Sequence, residues 1–134
     1  PVVNVDRAAW RRVFRGRGAM IDWKRVEELR TEIGTDGFAE VAEMFLEEAD
    51  ATVETLVSGP APDEVEGQLH FLKGSALNLG LCDLAALCQD GERKAATGHG
   101  ADVDMAAVAN VYRMSRHALL AGLSAGPLAA GTAA

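Results

Sequence analysis

From residue 21 onward, apolar residues recur at three- and four-residue intervals, the spacing of one face of an α-helix rather than the alternation of a strand. Val26, Leu29 and Ile33 make one short apolar face. Asp22 stands before it as an N-cap, Ile21 is placed to staple onto Val26, and Gly34 closes it. Asp36 is expected to cap a longer helix in which Phe38, Val41, Ala42, Phe45, Leu46, Ala49, Val53 and Leu56 keep helical register to about residue 57. Ser58-Gly59-Pro60-Ala61-Pro62 reads as a turn, with Pro62 suited to the first position of the next helix. In that helix Val65, Leu69, Leu72, Ala76 and Leu79 form the inner stripe, and Gly80 suits a left-handed cap. Asp83 starts another, with Leu84, Leu87, Cys88, Gly91 and Ala95 inward, until Gly98-His99-Gly100 breaks it. The last runs from about Val103 to Leu123 on Met105, Val108, Val111, Tyr112, Ser115 and Leu119.

Short connections between long amphipathic helices make sequential helices antiparallel neighbours. The predicted fold is therefore all-α: an antiparallel up-down four-helix bundle with one or two additional N-terminal helices. A short helix over residues 4–14, carrying Trp10, Val13 and Phe14, would be the first of these. The expected organisation is an N-terminal extension at 1–19, the bundle at 20–123, and an Ala/Gly/Pro-rich flexible tail at 124–134.

Bulk properties narrow the function classes. A chain of 134 residues with 49% hydrophobic content can bury one core. Net charge is −7, but residues 1–17 carry five arginines against Asp6, so the remainder is close to −11. An acidic body argues against nucleic acid, whose phosphates need a basic face. No apolar run approaches the ~20 residues of a membrane span, and no apolar segment follows the first arginines as a secretory signal requires. Cys82 and Cys88 point about 240° apart on a helix, which excludes a mutual disulfide. They read as small buried hydrophobes in a reducing cytoplasm, and no His/Asp/Glu spacing suggests a metal site.

His70 departs from the pattern. It points roughly 145° from the centre of its helix's apolar stripe, with Lys73 and Gly74 beside it one turn on. A neutral imidazole is a nucleophile through the nitrogen that lacks a proton. Attack on phosphorus would give a reactive phosphoimidazole, and Lys73 could offset the charge of the transferred group. Gly74 costs its helix about 1 kcal/mol relative to alanine. It lies on the His70 side, away from the apolar stripe, so clearance for an approaching partner explains it better than helix packing. Taken singly, His70 and Lys73 would read as solvated surface residues. Ser75 can bond a carbonyl one turn back and fill space. His99 and His117 lie outside any motif.

The run His70-Phe71-Leu72-Lys73-Gly74-Ser75-Ala76, followed by Asn78-Leu79-Gly80 and then Leu84, Leu87 and Glu92, resembles the histidine-containing phosphotransfer (HPt) domains of bacterial multistep phosphorelays. Ile21-Asp22-Trp23, Ile33-Gly34 and Phe45-Leu46-Glu47-Glu48 extend the resemblance over about residues 20–122. It implies that His70 accepts a phosphoryl group from an aspartyl phosphate on one receiver domain and passes it to an aspartate of another. The receivers would belong to a hybrid histidine kinase and a response regulator, and they would supply Mg²⁺. This chain would contribute no nucleotide site and no cofactor, consistent with the absence of a phosphate-binding glycine loop.

Within the family, a Gln or Glu on the following helix often bonds the inner imidazole nitrogen. Glu92 occupies that position, which would fix the tautomer and leave Nε2 to attack; the alternative is an ordinary surface glutamate. Leu77, one turn beyond Gly74, is expected to be exposed and to dock the receiver together with Gly74, Asn78, Ser75 and Phe71. The apolar edge around Trp23 and Val26 would join that surface, unless Phe71 instead packs beneath the N-terminal helices. A monomer is expected. Two other readings remain at this level: the phospho-accepting module of a larger histidine kinase, and a receiver-binding bundle that is never phosphorylated. The short tail favours a free-standing carrier.

Overall fold

A computed structural model describes residues 20–125, with side chains to 123. The expected helix at 4–14 and the tail lie outside the described residues. Four α-helices follow one another: α1 (Trp23–Ser58), α2 (Val65–Leu79), α3 (Cys82–Ala96) and α4 (Met105–Ala125). One-turn 3₁₀ segments at Pro62–Glu64 and Gly100–Asp102 lead into or lie between them.

α1 is two arms rather than one rod. Gly34 takes φ 80°, ψ 163°, a conformation nearly confined to glycine, and the helix kinks there. The second arm, α2, α3 and α4 form an up-down four-helix bundle, and the first arm is the one additional N-terminal helix among the described residues. Asp36, expected to cap the second arm, is exposed inside a helix already running, because α1 resumes directly after the kink. Asp22 does cap the first arm, accepting a hydrogen bond from the Arg25 amide at 3.2 Å.

The stripes read from the sequence meet in one core, except that Ile33, just before the Gly34 kink, is exposed at 39%. Phe38, Ala42, Leu46, Ala49, Val53 and Leu56 of α1 pack with Leu69, Leu72, Ala76 and Leu79 of α2. Leu84 and Cys88 of α3, with Val108, Tyr112 and Leu119 of α4, complete it. α4 begins at Met105 rather than Val103, since the Asp104 carboxylate caps it by accepting from the Ala107 amide at 2.9 Å. Cys82 and Cys88 are free and buried. Among the described residues no helix is long and apolar enough to cross a membrane.

Two close approaches position the functional surface. The Asp22 amide donates to the Gly80 carbonyl (2.7 Å) and the Cys82 amide to the Met20 carbonyl (3.0 Å), so residues 20–22 lie across the α2–α3 turn. Gly80 takes the expected left-handed conformation, φ 73°. The second approach is at Gly91 of α3. A Cβ built there would lie 2.7 Å from Leu69 Cδ1 and 3.3 Å from Val103 Cγ1. The glycine therefore lets α3 lie close against α2 beside residue 70.

Candidate functional site

Leu69 faces the core and is fully buried, so the next residue on α2 turns outward. The His70 side chain is 63% exposed. The close contact at Gly91 brings the following residue, Glu92, against the ring: His70 Nδ1 lies 3.1 Å from Glu92 Oε2. An ionised carboxylate only accepts hydrogen bonds, so Nδ1 carries the proton and donates it. Nε2, on the far edge of the ring, is left as the basic nitrogen.

Glu92 is 13% exposed and holds a second group. Lys73 Nζ, on a side chain that is 16% exposed, sits 2.9 Å from Glu92 Oε1. Its aligned hydrogen bond goes to Gln89 Oε1 at 2.8 Å, so the Lys73–Glu92 pairing is a charge contact rather than a second well-directed bond. One carboxylate thus joins the imidazole to the ammonium. Beneath the pair lies Cys88. Burial pushes its thiol up to about 12, and the Glu92 charge adds to the rise while Lys73 opposes it.

Gly74 lies next to this cluster. A Cβ placed there meets no atom of the chain within 4 Å, so no internal contact requires the glycine. The same holds at Gly67, three residues before His70. Open space therefore flanks the ring along the helix in both directions. Asn78 is half-buried and its side-chain amide donates to the Gly74 carbonyl at 2.9 Å, bracing the backbone at that glycine. Phe71 is exposed at 48%, which resolves its two sequence readings in favour of the surface.

Two of the expected docking residues lie elsewhere. Leu77 is only 5% exposed, because it belongs to the buried cluster that also contains Ile21, Val26 and Leu29 of the N-terminal arm. A helical wheel of α2 alone puts Leu77 on the His70 side, but the arm lies across that end of the helix. Ser75 is buried as well, on the inner side of α2. Val26 is fully buried, and the Trp23 indole packs where a Cβ on Gly122 would stand, so this part of the arm is core rather than a free edge.

The sequence reading missed Gln89. Its only sequence signal is weak: it is a second acceptor one turn before Glu92, and i,i+3 spacing puts both on one face. Gly67 was also missed; it is visible only as a second glycine in a short helix.

The elements carrying this cluster can be compared with known proteins. No curated protein and no solved structure matches the chain. The sequence model of the Hpt domain family matches residues 40–125, which include His70, Lys73, Gly74, Gln89 and Glu92. That stretch covers well over half the chain, with α2, α3, α4 and most of the second arm of α1, and by it the chain belongs to the Hpt domain family, the histidine phosphotransfer domains of phosphorelays.

Proposed function

We propose that this chain is a phosphorelay intermediate in which His70 is the phosphoryl carrier between receiver domains. The observation that carries the reading is the ring itself, 63% exposed and tied at Nδ1 to Glu92, with Nε2 outermost. In the accepting step, Nε2 attacks the phosphorus of a receiver aspartyl phosphate. The Nε2–P bond forms as the P–O bond to the aspartate breaks, and the carboxylate leaves with the bonding electron pair. The Nδ1 proton stays on the ring, held by Glu92, and the reverse sequence delivers the group to a second receiver.

Glu92 fixes the tautomer and steadies the positive charge the ring gains. Lys73 offsets the charge of the transferred group in a transfer governed by positioning and electrostatics. Gly74 and Gly67 leave room for the receiver's acidic pocket to close over the ring, and Phe71 and Asn78 border the docking face. The receiver is proposed to bring the Mg²⁺ that such transfers use. The carrier is proposed to be a monomer working between a hybrid kinase and a response regulator, and the free thiols of Cys82 and Cys88 fit a reducing cytoplasm.

The test is acid-labile phosphate on the wild type and on His70→Gln after incubation with phosphorylated receivers. Label on the wild type alone is expected, and Lys73→Ala should slow its appearance without loss of helix content. Label that never appears on the wild type with any cognate receiver would remove the shuttle reading. Label appearing only with an ATP-fed kinase domain would make the chain a kinase module.

A further inference from the structure

Gln89 has no part in the transfer chemistry described above, yet it makes the only aligned hydrogen bond of the Lys73 ammonium among the described residues, at 2.8 Å. Gln89 and Glu92 both reach from α3 to the same ammonium on α2. Glu92 meanwhile accepts from Nδ1. The two nitrogens of an imidazole point to nearly opposite edges of the ring. An ammonium docked on the carboxylate that bonds Nδ1 is therefore on the wrong side to meet a phosphoryl group on Nε2. It is also mostly buried, while the ring is mostly exposed.

We infer that Gln89 is a positioning residue that holds Lys73 in a docked state in the unphosphorylated protein and competes with the phosphoryl group for its ammonium. The inference rests on His70 being the phosphoryl carrier. A contact made in only one of two states biases the equilibrium toward that state. Gln89 thus weakens the hold of His70 on phosphate, keeping the group easy to pass on. Glu92 would be affected in the opposite sense. When Lys73 leaves, the carboxylate loses its cation and bonds the phosphorylated ring's Nδ1–H more strongly, so the docked lysine couples the two groups.

The experiment needs no receiver. The 134-residue chain is treated with phosphoramidate in the presence of free imidazole, and ³¹P NMR reads how phosphorus divides between His70 and imidazole. In the first step the Nε2–P bond forms as the donor's P–N bond breaks and ammonia leaves. In the exchange, the His70 P–N bond breaks as one to free imidazole forms. Gln89→Leu should shift the partition toward phospho-His70 by about ten- to a hundredfold, the range for losing one hydrogen bond to a charged group. Gln89→Glu, a stronger acceptor, should shift it the other way. In a Lys73→Ala background Gln89→Leu should not move it. Circular dichroism confirms that each variant is folded.

A partition unchanged or shifted toward imidazole in Gln89→Leu overturns the inference, as does an equal shift that persists without Lys73. If the wild type takes up no phosphate that His70→Gln lacks, the carrier reading itself falls, which is a different result from phosphorylation without a Gln89 effect.

Discussion

Two glycines on adjacent helices should respond to alanine in opposite ways, and the difference isolates what each is for. Both Gly74 in α2 and Gly91 in α3 are interior helical positions, where alanine is favoured over glycine by about 1 kcal/mol. At Gly74 the new methyl meets nothing within 4 Å, so the full gain should appear: Gly74→Ala is expected to stabilise by about 1 kcal/mol. At Gly91 the methyl would stand 2.7 Å from Leu69 Cδ1 and 3.3 Å from Val103 Cγ1. Leu69 is fully buried, so it cannot swing into solvent, and α3 must back away. Overpacking of this kind costs about 1–3 kcal/mol. Because the helix-propensity gain is common to both variants, their difference in stability should equal that packing cost.

Urea unfolding followed by circular dichroism, with a shared m-value, measures the difference, and 1 kcal/mol should move the thermal midpoint by roughly 4–8 °C in a bundle of this size. Transfer should separate them further. Gly91→Ala lengthens the His70–Glu92 contact by displacing α3, whereas Gly74→Gln keeps the fold and obstructs the receiver. Should Gly91→Ala stabilise as much as Gly74→Ala, or should Gly74→Gln exchange phosphate normally, the account of how α3 is seated and why the surface is bare would be refuted.

Gly34→Ala adds a methyl that touches nothing but forces an L-residue into φ 80°, ψ 163°; a loss of about 1–3 kcal/mol is expected, and an unchanged urea midpoint would show that the kink is not needed. Tyr112→Phe removes a buried hydroxyl that bonds Asp50 and the Leu46 carbonyl, fastening α4 to α1; chemical denaturation should register a loss of about 1 kcal/mol. Burial raises the pKa values of Cys82, Cys88 and Tyr112, the Cys88 thiol from about 9 to about 12. The folded state then keeps protons that the unfolded state has lost, so stability should be intact below pH 9 and fall as pH rises from about 9 toward 12. A urea midpoint that is flat across that range would contradict this, as would thiols that react with an alkylating reagent at pH 8 before the protein unfolds.

What could be read from the chain divides along the line between local and tertiary physics. Apart from Ile33, which stays exposed beside the Gly34 kink, the inner stripes, the Asp22 cap, the left-handed Gly80 and the inward Gly91 follow from periodicity and backbone sterics that operate within one helix, and they appear where those rules put them. The same is true of His70: an imidazole opposite an apolar stripe has nowhere to go but outward. Leu77 and Val26 fail for a single reason. Exposure at the end of α2 is decided by residues 20–22, some 55 positions away in sequence, which reach that end only because Met20 and Asp22 bond to the α2–α3 turn.

Gln89 lay beyond reach for a related cause. Nothing within α3 distinguishes it from any half-buried glutamine; it acquires meaning only when Gly91 lets α3 approach Leu69 and a lysine from the neighbouring helix arrives at its carbonyl. One missing methyl at Gly91 therefore does two things at once. It seats Glu92 against the ring and places Gln89 to hold the lysine, so the distance between two helices sets both the tautomer of the nucleophile and the resting place of its cation. A shift of α3 should disturb both together, and a variant that moved one without the other would show that the two contacts are set independently.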